Sequence, residues 1–568
     1  MAPPEWGGVH RSRGAWMPVS AGLASPTHIG RVTRSAALSA AAIAGVFCPA
    51  LARADDAPAS PPALAPAQER RVDIDAYDVD GNTKLDQDTV ETAVYPYLGP
   101  QRTRQDVDAA REALQKAYQA RGYQSVVVEI PPQTVSDGIV KLHVVEAPVG
   151  RLRVVGSRYF SPSAIKERVP ALTPGSVPDF NDAQEQISDL NRTPDRDVTP
   201  VLKPGKVPGT VDVDLNVKDT LPVHASAEIN NDHSANTPPL RIVATARYDD
   251  LWQLDQTLSA TYLAAPQDVS KSQVLAGSYL APILGTPWTL LLSGYNSNSN
   301  VNSLGGASVL GNGYSLNGRA ILNLPPLDEF TQSFSFGINF NHFLENVTVL
   351  QNSACLAPPS GSCVTIEYWP LTASYNVSRA TNDSTSNFTL AVTAGVRGLG
   401  SGSAQYEDNR AFATGNFAHL NVDLSHMQAL PWDFQVALHF AAQVADQPLV
   451  PTEQFAAGGL TSVRGYLQSE AIGDDGVLES VELRSPMLID RYIHDWRFFV
   501  FGESAEAWIL SPLAGQQEVF RLASTGLGTR FQIFDRVSGN VDMAFPLIDG
   551  PTTKAFKAVT SFSFKTEF

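Results

Sequence analysis

No run of about 18 apolar residues occurs in this 568-residue chain, and its mean hydropathy is −0.10. Membrane crossing by apolar helices is therefore excluded. A β-barrel is not, because alternating strands score low on hydropathy. Charge is sparse, at 17% of residues, and its balance is acidic, net −17. Residues 1–54 carry five Arg and one Glu, which leaves −21 on the remainder. Such a chain argues against nucleic acid as a partner. Phosphate-cradling Gly-x-x-x-x-Gly-Lys-Ser/Thr, the Gly-x-Ser-x-Gly elbow and His-Glu-x-x-His are all missing. Gly398-Leu399-Gly400-Ser401-Gly402 reads as a loop with no helix after it, not as a dinucleotide fingerprint. Asp78-Val79-Asp80-Gly81 fails as a calcium loop, since the terminal ligand positions fall on Ala76 and Gln87. No cofactor, metal ligand set or catalytic residue is indicated, although dispersed catalytic residues would leave no such motif.

What is present begins with an export segment. Arg31 and Arg34 precede an apolar stretch from Ser35 to Phe47, and Ala52-Arg53-Ala54 supplies a small-x-small cleavage pattern. Residues 1–54 read as a signal peptide, with translation starting at Met1 or Met17. Bulky Phe47 before Cys48 argues against lipoprotein processing. Residues 55–70 form a Pro/Ala-rich linker, with Pro58, Pro61, Pro62 and Pro66, of extended character.

Residues 71–147 read as strand, helix, helix, strand, strand. Val72 to Val79 suits a first strand, and Val90, Ala93, Val94 and Leu98 suit one helix face. Thr103-Arg104-Gln105-Asp106 opens the second helix in the manner of a capping box, Val107, Ala110, Leu114 and Tyr118 follow at helical spacing, and Gly122 stops it. Residues 148–220 repeat the scheme, with strands at Leu152–Val155 and Val198–Leu202 and helices after Ser161-Pro162 and over Asp182–Asn191. In the last strand Val211, Val213, Leu215 and Val217 alternate with Asp212, Asp214, Asn216 and Lys218, the pattern of half-burial. A single larger α+β domain would show the same elements.

From residue 221 to 568 the period becomes two. Phe334, Phe336, Ile338 and Phe340 oppose Ser333, Ser335, Gly337, Asn339 and Asn341, and Phe388, Leu390, Val392, Ala394 and Val396 oppose Asn387, Thr389, Ala391, Thr393 and Gly395. Strand cores begin near Val223, Arg241, Thr257, Val274, Trp288, Tyr314, Gln332, Thr365, Asn387, Ala413, Asp433, Val477, Trp496, Arg521, Asn540 and Phe556. Their number, sixteen, is even, as closed bacterial barrels require. Short connections alternate with long ones, among them His342–Val364 and Gln447–Gly476. The chain closes on Phe562, Phe564 and Phe568, which share one face.

The sixth long connection contains Gly458-Gly459-Leu460-Thr461-Ser462-Val463-Arg464-Gly465-Tyr466. Val463, Arg464, Gly465 and Tyr466 resemble the Val-Arg-Gly-Tyr signature of two-partner secretion outer-membrane transporters of the TpsB type, the hemolysin secretion/activation and filamentous-hemagglutinin transporter family of the POTRA-plus-barrel superfamily. The resemblance implies two α+β periplasmic POTRA modules followed by an all-β 16-stranded transmembrane barrel in the outer membrane. It implies a transporter, not an enzyme, that secretes an unfolded partner exoprotein of the adhesin or hemolysin type. Other implied partners are periplasmic chaperones and the barrel-assembly machinery during biogenesis, and outer-membrane lipid and lipopolysaccharide. The terminal Phe resembles the barrel insertion signal. Phe501, Glu503 and Ala505 resemble the family's Phe-x-Asp-x-Gly motif, whose acid meets the loop Arg; Glu and Ala stand where the motif has Asp and Gly. Some relatives plug the barrel with an N-terminal helix, for which residues 55–70 are too few and too proline-rich. A barrel insertase of the same superfamily is the nearest alternative, and a passive porin or outer-membrane enzyme a more distant one.

Cys355 and Cys363 share one long connection and an oxidising compartment after export, which points to a disulfide between them. Thiol labelling of unreduced mature protein should modify neither residue; labelling of both would refute the bond.

Overall fold

The computed structural model describes residues 71–568, apart from 136, 236, 299–300, 305–306, 311, 347–362, 489–494 and 535. The export segment, the linker and Cys355 therefore lie outside the described residues, and with them the plug and the disulfide.

The first module packs two helices, Gln87–Val94 and Arg104–Ala120, on a three-stranded sheet. Asp86 caps the first helix, and Thr103 and Asp106 cap the second reciprocally. Each cap satisfies N–H groups that have no partner inside the helix. The apolar stripe of the long helix, including Leu114 and Tyr118, meets Val126, Val128, Leu142 and Val144 of the sheet. Two details differ from the sequence reading. The leading strand is split into Val72–Ile74 and Ala76–Asp80, because Asp75 and Ala76 both donate to the Gly138 carbonyl, so the two halves join different sheets. Leu98 lies beyond the first helix, which ends at Val94 and gives way to a 3-10 turn through Pro96. Proline there has no N–H to continue the α-helix.

In the second module, Phe180–Leu190 starts two residues earlier than the spacing suggested, because Asp179 caps it. A second correction concerns the last strand, Val211–Asp219. Its alternation reads as half-burial, yet Asp212 and Asp214 are as buried as Val213 and Leu215. Arg151 pairs with Asp212, and Arg153 and Lys203 with Asp214. Those hydrogen bonds, from Arg153 first and then Lys203, hold the Asp214 carboxyl well below the usual carboxylate range.

The remainder is a closed antiparallel barrel of sixteen strands, from Val223–Asn230 to Val559–Glu567, whose last strand pairs with its first. The eighth strand is interrupted at Trp369-Pro370. Cys363–Tyr368 and Leu371–Ala380 both pair with Phe330–Asn346, so they count as one strand. Period two sorts the wall. Phe336 and Ile338 are exposed on the outside, while Ser335 and Asn341 are buried on the inside. Three strand starts move inward relative to the sequence reading. The tenth begins at Ala418 rather than Ala413, since residues up to Phe417 form a loop packed on Tyr368 and Tyr406. The eleventh begins at Gln435, after the turn Pro431–Asp433. The sixteenth begins at Val559, because Phe556 has a positive φ of 59° that an extended strand excludes. A further correction lies at Gly402, which is followed directly by a helix, Ser403–Asn409. That helix belongs to a long connection of the barrel and packs on the eighth strand, so the glycine run still lacks the β-α-β setting of a dinucleotide site.

Candidate functional site

Residues 446–474 connect the eleventh and twelfth barrel strands, Gln435–Ala445 and Asp475–Arg484. A short hairpin, Phe455–Ala457 with Ala471–Gly473, carries the connection's tip. Gly458 and Gly459, with φ of 110° and 105°, turn the chain out of that hairpin. An added Cβ at Gly458 would collide with the Leu467 carbonyl. Gly465, at φ 92°, passes so close to the wall that a Cβ would lie 2.9 Å from that of Ala544. Glycine alone fits such backbone at little cost.

The tip is folded into the barrel. Val463 is wholly buried and belongs to one apolar cluster with Tyr466, Leu478, Ala505 and Leu522. Between these apolar contacts lies Arg464. Its Nε and Nη2 donate to Glu503 Oε1 at 2.8 and 2.5 Å, and its backbone N–H donates to Glu503 Oε2 at 2.7 Å. Its Nη1 donates to Glu482 Oε2 at 2.9 Å. The Phe501 ring centroid lies 3.6 Å from the guanidinium carbon, so the cation also rests on a π-face. The Tyr466 hydroxyl lies 2.7 Å from the Ile548 carbonyl and 2.9 Å from that of Ala523.

Strand alternation explains why these groups converge. On Arg497–Trp508 the buried, inward set is Phe499, Phe501, Glu503, Ala505 and Ala507, while Phe498 and Val500 are exposed outside. Register places Ser480 opposite Glu503 and Glu482 opposite Phe501. The structure thus brings Arg464, Phe501 and Glu503 together, and seats Ala505 in the apolar cluster beside Val463 and Tyr466. Phe562, Phe564 and Phe568 lie elsewhere, on the last strand and the terminus after it.

Sequence reasoning missed Glu482, Arg484 and Arg530. Glu482 accepts from Arg464, from Arg484 Nε at 2.8 Å and from Arg530 Nη2 at 2.6 Å. Its signal was available in part. Leu478, Ser480, Glu482 and Arg484 have the inward parity of their strand, and two charges on that parity need partners inside. Asp474 was missed as well. It is fully buried and accepts from the Leu449 and Leu510 N–H groups, from Gln454 Nε2 and from Arg410, which lies in the preceding long connection. The sixth connection is therefore held at its tip by Arg464 and at its base by Asp474.

Residues 72–147 match the POTRA domain, ShlB-type, and residues 368–502, which include the Arg464 loop and Glu482, match the haemolysin secretion/activation protein family ShlB/FhaC/HecB. The heme/hemopexin transporter protein HuxB of Haemophilus influenzae strain 86-028NP is 22% identical over 469 residues, 79% of each chain. The outer membrane transporter CdiB-2 of Burkholderia pseudomallei strain 1026b is 29% identical over 145 residues, 26% of this chain and 24% of the relative. The chain belongs to the two-partner secretion transporter family. Solved structures agree in fold. CdiB from Escherichia coli superposes with a TM-score of 0.60 at 17% identity, over 90% of this chain and 93% of that one. BamA from Haemophilus ducreyi, lacking its first three POTRA domains, gives 0.52 at 15% identity, over 88% of this chain and all of that one. As a two-partner secretion transporter this protein sits in the outer membrane, with its POTRA region in the periplasm.

Proposed function

We propose that this transporter captures one unfolded exoprotein in the periplasm and passes it outward through the barrel, with the sixth loop held in its working position by Arg464 and Glu503. The observation that carries the reading is the buried Arg464 cluster between loop and wall. An ion pair in that position ties the loop to the barrel wall. The open strands of the two modules support the capture step. In the first module Val126–Glu129 lies at a sheet edge with Val127 exposed, and in the second Val149–Val155 lies at an edge with Val155 exposed. An extended client can add a strand at such edges through backbone hydrogen bonds. The opposite edge of the second module, Arg196–Pro204, carries Pro200 and Pro204, which withhold N–H donors and discourage pairing.

HuxB is named for heme/hemopexin transport; the partner inferred here is a large exported protein of TpsA type. No enzymatic step is assigned; folding of the client outside supplies the direction of movement. Processing of residues 1–54, delivery by periplasmic chaperones, insertion by the barrel-assembly machinery through the Phe562, Phe564 and Phe568 face, and contact with lipopolysaccharide complete the reading. Co-expression with the exoprotein should yield secreted client, and deletion of residues 71–147 should abolish it while the barrel still folds. Unchanged levels of other outer-membrane barrels in a strain lacking this chain separate secretion from insertase activity; a general fall in those levels would favour the insertase.

A further inference from the structure

At the joint between the second module and the barrel, three side chains from distant parts of the chain converge. Asp195 lies in the module just before the strand Arg196–Pro204, His224 is the second residue of the first barrel strand, and Asp249 is near the end of the second. His224 Nε2 lies 2.8 Å from Asp195 Oδ2 and 3.4 Å from Asp249 Oδ2, and the three donor atoms fall within 4.8 Å of one another. Both carboxylates are buried, while the imidazole side chain is 28% exposed. Thr220 Oγ1 donates to the other oxygen of Asp195, and Arg247 Nε pairs with Asp249.

One imidazole N–H cannot serve two carboxylates well, and the 3.4 Å contact is long for a hydrogen bond. A divalent ion in place of that proton would be bound by both carboxylates at once. Zinc with nitrogen and oxygen ligands at ~2.0–2.2 Å sets neighbouring donors about 3.3 Å apart; the two contacts of His224 are 2.8 and 3.4 Å, and all three donors lie within 4.8 Å, so small side-chain shifts would seat the ion. Arg247 offsets only one of the two acidic charges at most, which leaves the site anionic when His224 is neutral. The exposed side of the imidazole offers an entry path and room for a water ligand.

We propose that Asp195, His224 and Asp249 form a zinc-type divalent metal site that clasps the second POTRA module to the rim of the barrel. The site is independent of the loop cluster and would limit swinging of the module. The test is calorimetric titration of Zn²⁺ into detergent-purified, chelator-treated full-length mature chain, untagged and with its cysteines reduced and then alkylated. One saturable site is expected. His224→Gln, which keeps a hydrogen-bond donor but loses the ligand nitrogen, should weaken binding by more than about tenfold. Asp249→Asn should do the same, and both variants should retain heat-modifiable mobility on gels, which reports a folded barrel. Bound zinc should also slow proteolytic release of the modules from the wild-type barrel, and not from the variants. A wild-type chain that shows no saturable uptake, or uptake unchanged in His224→Gln, would overturn the proposal.

Discussion

Arg464→Ala should abolish secretion of the exoprotein while leaving the barrel inserted. Arg464 supplies four hydrogen bonds to two buried carboxylates, three of them to Glu503 and three of the four from its side chain. Removing one partner of a fully buried ion pair costs about 3–5 kcal/mol, because the other charge is left uncompensated. Here the cost falls on the loop, since Glu482 keeps Arg484 and Arg530 and the wall stays intact. Glu503→Ala should match Arg464→Ala, for it removes the main acceptor of the same side chain. Arg464→Lys should give partial secretion: it retains the charge, but one ammonium cannot span both carboxylates as the guanidinium fork does. Glu482→Ala should behave differently. It strips three guanidinium groups of a shared partner, so the barrel itself should lose its heat-modifiable mobility at a lower temperature. The measurement is exoprotein in the medium against barrel in the outer membrane. Normal secretion from both Arg464→Ala and Glu503→Ala would show that the loop works without this anchor.

The second large effect is expected at Asp474. This carboxylate is wholly buried and gathers four donors from three successive connections at one end of the barrel. Asp474→Ala leaves those donors without their acceptor and Arg410 without its carboxylate. Each unsatisfied buried group costs about 1–3 kcal/mol, and more for a charged one. The surface loops should loosen together, so that external protease cleaves residues 446–474 in intact cells where the wild type resists. Asp474→Asn is the sharper test. It preserves size, yet its amide NH₂ must face donors, either the Leu449 N–H and Gln454 or the Leu510 N–H and Arg410. It should therefore resemble Asp474→Ala. A protease-resistant, secreting Asp474→Asn variant would mean that shape alone holds the loops there.

The two anchors differ in how far the sequence announces them. Arg464 lies in a short run whose glycines and lone cation mark it locally, and Glu503 lies on a strand whose apolar face, Phe498 and Val500, shows which way the acid points. Asp474 carries no such mark. It is one acid in a glycine-flanked turn, and its importance comes from Arg410 and Leu510, 64 residues before and 36 residues after it. Likewise Asp212 and Asp214 read as a solvated face until Arg151, Arg153 and Lys203 are seen covering them.

The sequence by itself determined an α+β region followed by a barrel, the number of strands and, on strands such as Phe330–Asn346 and Arg497–Trp508, the side that faces outward. Those properties rest on periodicity and turn chemistry, which act between residues close in the chain. Tertiary structure alone decided that Glu482 joins Arg464, Arg484 and Arg530, that Asp474 collects three loops, and that Asp195 meets His224 and Asp249. Each of these depends on strand register, closure of the barrel and the docking of a loop or module against it. A charged residue's partner across such distances is chosen by where the backbone places both, and no local pattern encodes that choice.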